Sequence, residues 1–81
     1  MKDSYFRVQI QEYDVNNDIF KWKSIWNTFS NLDEAKKMYH STIFDYPHKD
    51  IRLVKAFVSD YSVMERIREV ISYKKGKAQA P

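Results

Sequence analysis

Apolar and polar positions alternate over Ser4–Tyr13. Phe6, Val8 and Ile10 fall on one side, and Tyr5, Arg7, Gln9, Gln11 and Tyr13 on the other. A period of two over ten residues predicts a strand with one buried face. Asp14-Val15-Asn16-Asn17-Asp18 follows, and Asn and Asp tolerate the left-handed backbone that a tight turn requires. Ile19–Phe29 is rich in aromatic and β-branched residues and predicts a second strand, so the two runs form a hairpin. Its phase is mixed. Phe20, Trp22 and Trp26 share one parity, and Ile19, Ile25 and Phe29 the other. A bulge near Ser24 would switch the buried face midway; alternatively, part of the strand is covered on both sides. The pattern admits both.

The spacing changes at Asn31-Leu32-Asp33-Glu34. Asn31 is a natural N-cap, Glu34 stands where a capping box places its acid, and Lys36 and Lys37 come later, as the helix dipole prefers. Leu32, Ala35, Met38/Tyr39 and Thr42/Ile43 then form one apolar stripe at helical spacing. The helix must end before Tyr46-Pro47, because a residue preceding proline avoids helical geometry. Asp50–Val58 is nearly apolar throughout, which predicts a third strand covered more fully than the first. Ser59 and Asp60 offer caps to a second helix running to about Tyr73. Val63, Ile67, Val70 and Ile71 would be its stripe, Glu65, Arg66, Arg68 and Glu69 its wet side, and Gly76 its close. The expected fold is α+β: one β-β-α-β-α domain over residues 1–75, and a loose tail over 76–81. A crossover from the second strand to the third gives a three-stranded antiparallel sheet in the order 2-1-3. The second helix joins the first or covers part of the sheet's other face.

Composition sharpens this picture. Eighty-one residues support a single small core, and thirteen aromatics (five Phe, six Tyr, two Trp) supply its bulk. One Gly and two Pro argue against disorder. The chain contains no cysteine, which removes disulfides, Cys-ligated zinc and thiol nucleophiles together. With no leader-like or membrane-spanning apolar run, a cytoplasmic location is expected. The net charge of +3 is unevenly placed. Residues 1–50 hold seven Lys and Arg against eight Asp and Glu, whereas residues 51–81 hold seven against three.

Catalytic constellations are missing from the text. His40 and His48 have no partner at metal-ligand spacing, and the serines sit outside nucleophile motifs. Asp33-Glu34 and Asp14/Asp18 are explained by a helix start and a turn. A single glycine at position 76 rules out a glycine-rich phosphate loop. No enzyme activity, cofactor or metal is expected.

Binding is the function class that remains. Tyr5, Arg7, Tyr13, Lys23 and Trp26 are the candidate contacts for a protein partner, because tyrosine, tryptophan and arginine dominate interface cores. The expected role is that of a small inhibitor or regulatory adaptor. The basic C-terminal third offers a second reading, with Arg52, Lys55, Arg66, Arg68, Lys74 and Lys75 on nucleic-acid phosphates. The aromatic second-strand edge gives a route to a homodimer.

The order of a Tyr-led strand, an Asn/Asp turn and a Trp-bearing strand, followed by Phe29-Ser30-Asn31-Leu32-Asp33-Glu34-Ala35-Lys36-Lys37 and Ile51-Arg52-Leu53-Val54-Lys55, resembles small accessory proteins of low-GC bacteria and their phages. The resemblance spans residues 4–58 and carries over no site residue. It implies a phage-like accessory protein that binds and modulates a host or phage protein.

Overall fold

The alternation at the start of the chain forms β1 (Tyr5–Asp14), which returns through a turn as β2 (Ile19–Phe29). The computed structural model describes residues 4–58 and 64–77. Asp14 builds the turn: its carboxylate accepts from the backbone N–H groups of Asn16 and Asn17 and from the Asn17 amide. Asp18 takes a left-handed φ of 55°, a conformation that asparagine and aspartate adopt more readily than most residues.

The helix α1 (Leu32–Asp45) starts as its cap predicts. The Asn31 side-chain oxygen accepts from the backbone N–H groups of Asp33 at 2.8 Å and Glu34 at 3.2 Å. It ends at Tyr46, ahead of Pro47. Ala35, Tyr39 and Thr42 are buried, and Leu32, Met38 and Ile43 flank them. β3 (Ile51–Val58) then runs between β1 and a fourth strand, β4 (Glu65–Lys74).

The expected second helix is therefore corrected to a strand. The sheet has four antiparallel strands in the order β2-β1-β3-β4, with a single helix among the described residues. β3 is central rather than an edge. The proposed caps Ser59 and Asp60, and Val63 of the proposed stripe, lie outside the described residues, as do the tail residues 78–81.

Two bulges explain why β4 reads as helical. Arg68 has no partner between the pairs Lys55–Glu69 and Ala56–Ile67, and Ile71 has none between Leu53–Ser72 and Val54–Val70. Each extra residue advances the phase by one. Glu65, Ile67, Val70 and Tyr73 thereby share one face at spacings of two, three and three, close to a helical period.

The mixed phase of β2 also resolves. Ser24 is in register with Gln9. The irregularity lies further on, where Arg7 alone opposes Trp26, Asn27 and Thr28, and Trp26 has a φ of 65°. Two extra residues preserve parity, so Ile25 and Phe29 both reach the helix side while Phe20 and Trp22 take the opposite side.

α1 lies over β3 and β1 and touches β2. Between helix and sheet sit Val8, Ile10, Ala35, Tyr39, Ile51 and Leu53, with Phe6, Ile25, Phe29, Leu32, Met38, Ile43 and Ile71 around them. No described helix or strand lies over the other face of the sheet, although Val54 and Ala56 on it are fully buried.

After β4 the chain folds back onto the loop before β3. The Gly76 N–H donates to Asp50 at 2.7 Å and the Lys77 N–H to the Pro47 carbonyl at 2.9 Å. A Cβ at Gly76 would lie 2.2 Å from the His48 carbonyl oxygen, so this close approach requires glycine.

Candidate functional site

The sheet face away from α1 is built by residues paired across all four strands. Opposed residues of antiparallel strands point to the same side, so the register defines the face. Its central row is Ser24, Gln9, Arg52 and Tyr73, one from each strand. Gln9 is 6% exposed and fully engaged. Its amide N–H donates to the Ser24 hydroxyl at 3.0 Å, and its Oε1 accepts from Arg52 Nε at 2.7 Å. The Arg52 guanidinium lies 4.2 Å from the Trp22 ring centroid, and Trp22 meets Tyr73 edge-to-face at 6.0 Å. The Tyr73 hydroxyl donates to Asp50 at 2.6 Å, which holds the Asp50 carboxyl below its usual value; the Gly76 N–H adds to this.

On one side of this row the β1–β2 hairpin projects past the end of β3. Here Tyr13 and Phe20 face each other edge-on at 5.2 Å, and Phe20 is 66% exposed. A hollow of about 440 Å³ opens beside them, lined by Gln11, Tyr13, Phe20, His48, Lys49 and Asp50. On the other side of the row, Val54 and Ala56 are flanked by the exposed Ile67 and Val70 of β4. Beyond them Glu65 accepts from the Tyr5 hydroxyl at 2.6 Å and from Arg7 Nε at 2.9 Å. Burial would raise the Glu65 carboxyl, but the Tyr5 hydroxyl and the Arg7 guanidinium outweigh it and leave it below its ordinary value. Burial, reinforced by the same carboxylate, pushes Tyr5 up to about 12.

Of the residues expected to contact a protein, Tyr5, Arg7 and Tyr13 lie on this face. Lys23 pairs with the core residue Ile10 and so points to the helix side. Trp26 belongs to the helix side as well: its indole N–H donates to Thr42 Oγ1 at 3.0 Å, and its carbonyl accepts from Arg7 at 3.3 Å. Of the residues expected on phosphates, Arg52 alone occupies this face. Lys55, Arg66 and Lys74 point to the helix side of β3 and β4. Arg68 stands over the Phe57 ring at 4.7 Å, and Lys75 follows the end of β4.

Trp22, Phe20, Gln9, Tyr73, Val70 and Ile67 were not among those expected contacts. A signal for three of them exists in the sequence. Counting back equally from a turn centred between Asn16 and Asn17 pairs Tyr13 with Phe20, Gln11 with Trp22 and Gln9 with Ser24. The β4 residues carried no such signal, because the bulges hide their phase.

His40 lies exposed on α1, and His48 Nδ1 lies 3.2 Å from the Lys77 carbonyl oxygen. Among the described residues no group of three or more His, Cys, Asp or Glu side chains could hold a metal ion, and no helix is long and apolar enough to cross a membrane. Comparison with family models, with curated proteins and with solved structures finds no match for the chain.

Proposed function

We propose that this chain is a non-catalytic protein-binding domain, acting as a small inhibitor or regulatory adaptor through the face of its sheet away from the helix. The observation that carries this reading is the Trp22–Arg52–Tyr73 cluster fixed on Gln9 in the middle of that face. Planar aromatic and guanidinium groups are the side chains that anchor protein interfaces. Here they are already held in place by their neighbours, which lowers the ordering cost of association. The two guanidinium groups of the face are engaged within it: Arg7 is met by Glu65, and Arg52 by Gln9 and the Trp22 ring. Cations already held in this way suit a protein surface better than a polyphosphate.

The nucleic-acid reading draws on Lys55, Arg66, Arg68 and Lys74, gathered on the helix side of β3 and β4. It is the weaker one. Glu69 opposes Lys55 there, and Arg52 points the other way.

The test is retention of proteins from a nuclease-treated lysate of the native cells, with the wild-type chain compared with a Phe20→Glu/Val70→Glu variant. Both side chains are exposed, so the variant is expected to fold. The wild type should retain a protein that the variant does not. Equal retention by both, or retention that disappears with nuclease, would overturn the reading.

A further inference from the structure

We infer that the hollow beside Tyr13 and Phe20 is a binding site for a small planar aromatic anion, a ring system carrying one carboxylate. This goes beyond the protein-binding reading and does not depend on it. Walls, charge and rigidity each point to that ligand class.

The walls suit a flat ring. Tyr13 and Phe20 meet across the β1–β2 hairpin at 5.2 Å with their planes inclined at 63°, and they stay 47% and 66% exposed. Aromatic rings prefer edge-to-face and offset contacts, and this pair leaves ring surface for a third ring to join it. The hollow of about 440 Å³ falls within the ~300–1,000 Å³ of small-molecule sites.

The charge favours an anion. One carboxylate, Asp50, and one lysine, Lys49, line the hollow, with His48 beside them. Asp50 is already engaged: the Tyr73 hydroxyl donates to one oxygen at 2.6 Å and the Gly76 N–H to the other at 2.7 Å. Lys74 and Lys75 lie close enough to favour its ionised form. The Lys49 ammonium has no acidic partner among the described residues, unlike Lys21, which Asp14 holds at 2.8 Å. The Gln11 side-chain amide makes no hydrogen bond among them either. A carboxylate entering the hollow therefore finds an uncommitted cation and an uncommitted N–H donor. An ammonium finds a carboxylate whose two oxygens are both in use.

The wall opposite the rings is held in place by the chain itself. The Gln11 N–H donates to the Asp50 carbonyl at 2.9 Å, the Lys49 N–H to the Tyr46 carbonyl at 3.2 Å, and the Lys77 N–H to the Pro47 carbonyl at 2.9 Å. A site whose backbone is fixed in advance loses little entropy when a ligand enters.

A titration of the intact, nitrogen-15-labelled chain with 2-naphthoate, followed by amide NMR, tests this. The amides of Gln11, Tyr13, Phe20 and Lys49 should shift and saturate, with a dissociation constant on the order of 1 mM for so small a ligand. The same ring carrying the opposite charge, 2-naphthylmethylamine, should shift them weakly and without saturation. Lys49→Gln should weaken naphthoate binding about threefold, as loss of an exposed ion pair does. Phe20→Ser should weaken it roughly fivefold or more, with the rest of the spectrum retained. Lys37→Gln, at an exposed position on α1, should change nothing. Val70→Glu lies outside the hollow and should leave naphthoate affinity intact, so failure of the protein-binding reading and failure of this one are told apart. No saturable shift at any soluble naphthoate concentration overturns the inference. So does equal affinity for the amine, or full affinity in either Lys49→Gln or Phe20→Ser.

Discussion

At the scale of single residues, the sheet face away from α1 is held together by polar side chains that satisfy one another. Gln9 is the clearest case: buried in the centre of the sheet, its amide reaches Ser24 on one side and Arg52 on the other. Tyr5 plays the corresponding part at the far end, donating to Glu65 at 2.6 Å. Because its hydroxyl is partly buried and serves as a donor to a carboxylate, the neutral form is favoured and ionisation moves from 10.0 to about 12. The sign follows from linkage. The unfolded chain loses this proton first, so the stabilisation is complete below pH 10 and is lost as the pH rises from there toward 12. Following tyrosinate absorbance against pH, the wild type should show a step near 12 that Tyr5→Phe lacks. The variant's melting temperature should also fall less steeply over that interval. A step near 12 that persists in Tyr5→Phe would place the late ionisation elsewhere.

At the scale of elements, the chain divides into those whose local chemistry and tertiary setting agree and one where they do not. α1 belongs to the first kind. Its cap, its acidic first turn, its apolar stripe and its stop before Pro47 all point to one answer, and each is present in the fold. Asn31→Ala removes the acceptor for two backbone N–H groups and should cost about 1 kcal/mol, read from the urea midpoint at unchanged slope. A cost near zero would mean that packing of Ala35 and Tyr39 alone sets the helix start. β1 was legible for the same reason, its alternation being uninterrupted from Tyr5 to Gln11. β4 was not. Arg68 and Ile71 each add one residue to a strand that would otherwise alternate, and the result imitates a helical stripe at Ile67, Val70 and Ile71. Ser59 and Asp60 ahead of it strengthen the helical expectation, since serine and aspartate are common helix caps. The candidate site inherits this division. Tyr5, Arg7 and Tyr13 come from the legible strand. Tyr73, Val70 and Ile67 come from the disguised one, while Lys23, opposite Ile10, and Trp26, turned by its left-handed φ, lie on the helix side.

At the scale of the molecule, β4 is the strand whose attachment depends most on carboxylates, and this gives the fold a directional response to acid. Its first residue, Glu65, is tied to Tyr5 and Arg7 of β1, and near its end Tyr73 and then Gly76 are tied to Asp50. A third carboxylate, Asp14, is held down to about 2 by Lys21 first and Asn17 second, but it secures the β1–β2 turn. All three titrate below their ordinary values of 3.8 for the aspartates and 4.5 for the glutamate. The unfolded chain therefore takes up protons before the folded one does. The stability from these groups is complete above about pH 4.5 and declines as the pH falls toward 2. The central strands β1 and β3 owe their protection to Val8, Ile51 and Leu53, which no proton reaches. Amide hydrogen exchange compared at neutral and acidic pH should thus show β4 losing protection first, with β1 and β3 following only on global unfolding. Glu65→Gln and Asp50→Asn should bring part of that loss to neutral pH and flatten what remains of the acid dependence. Uniform loss across all four strands in the wild type would show that these carboxylates act on the fold as a whole and not on the β4 edge.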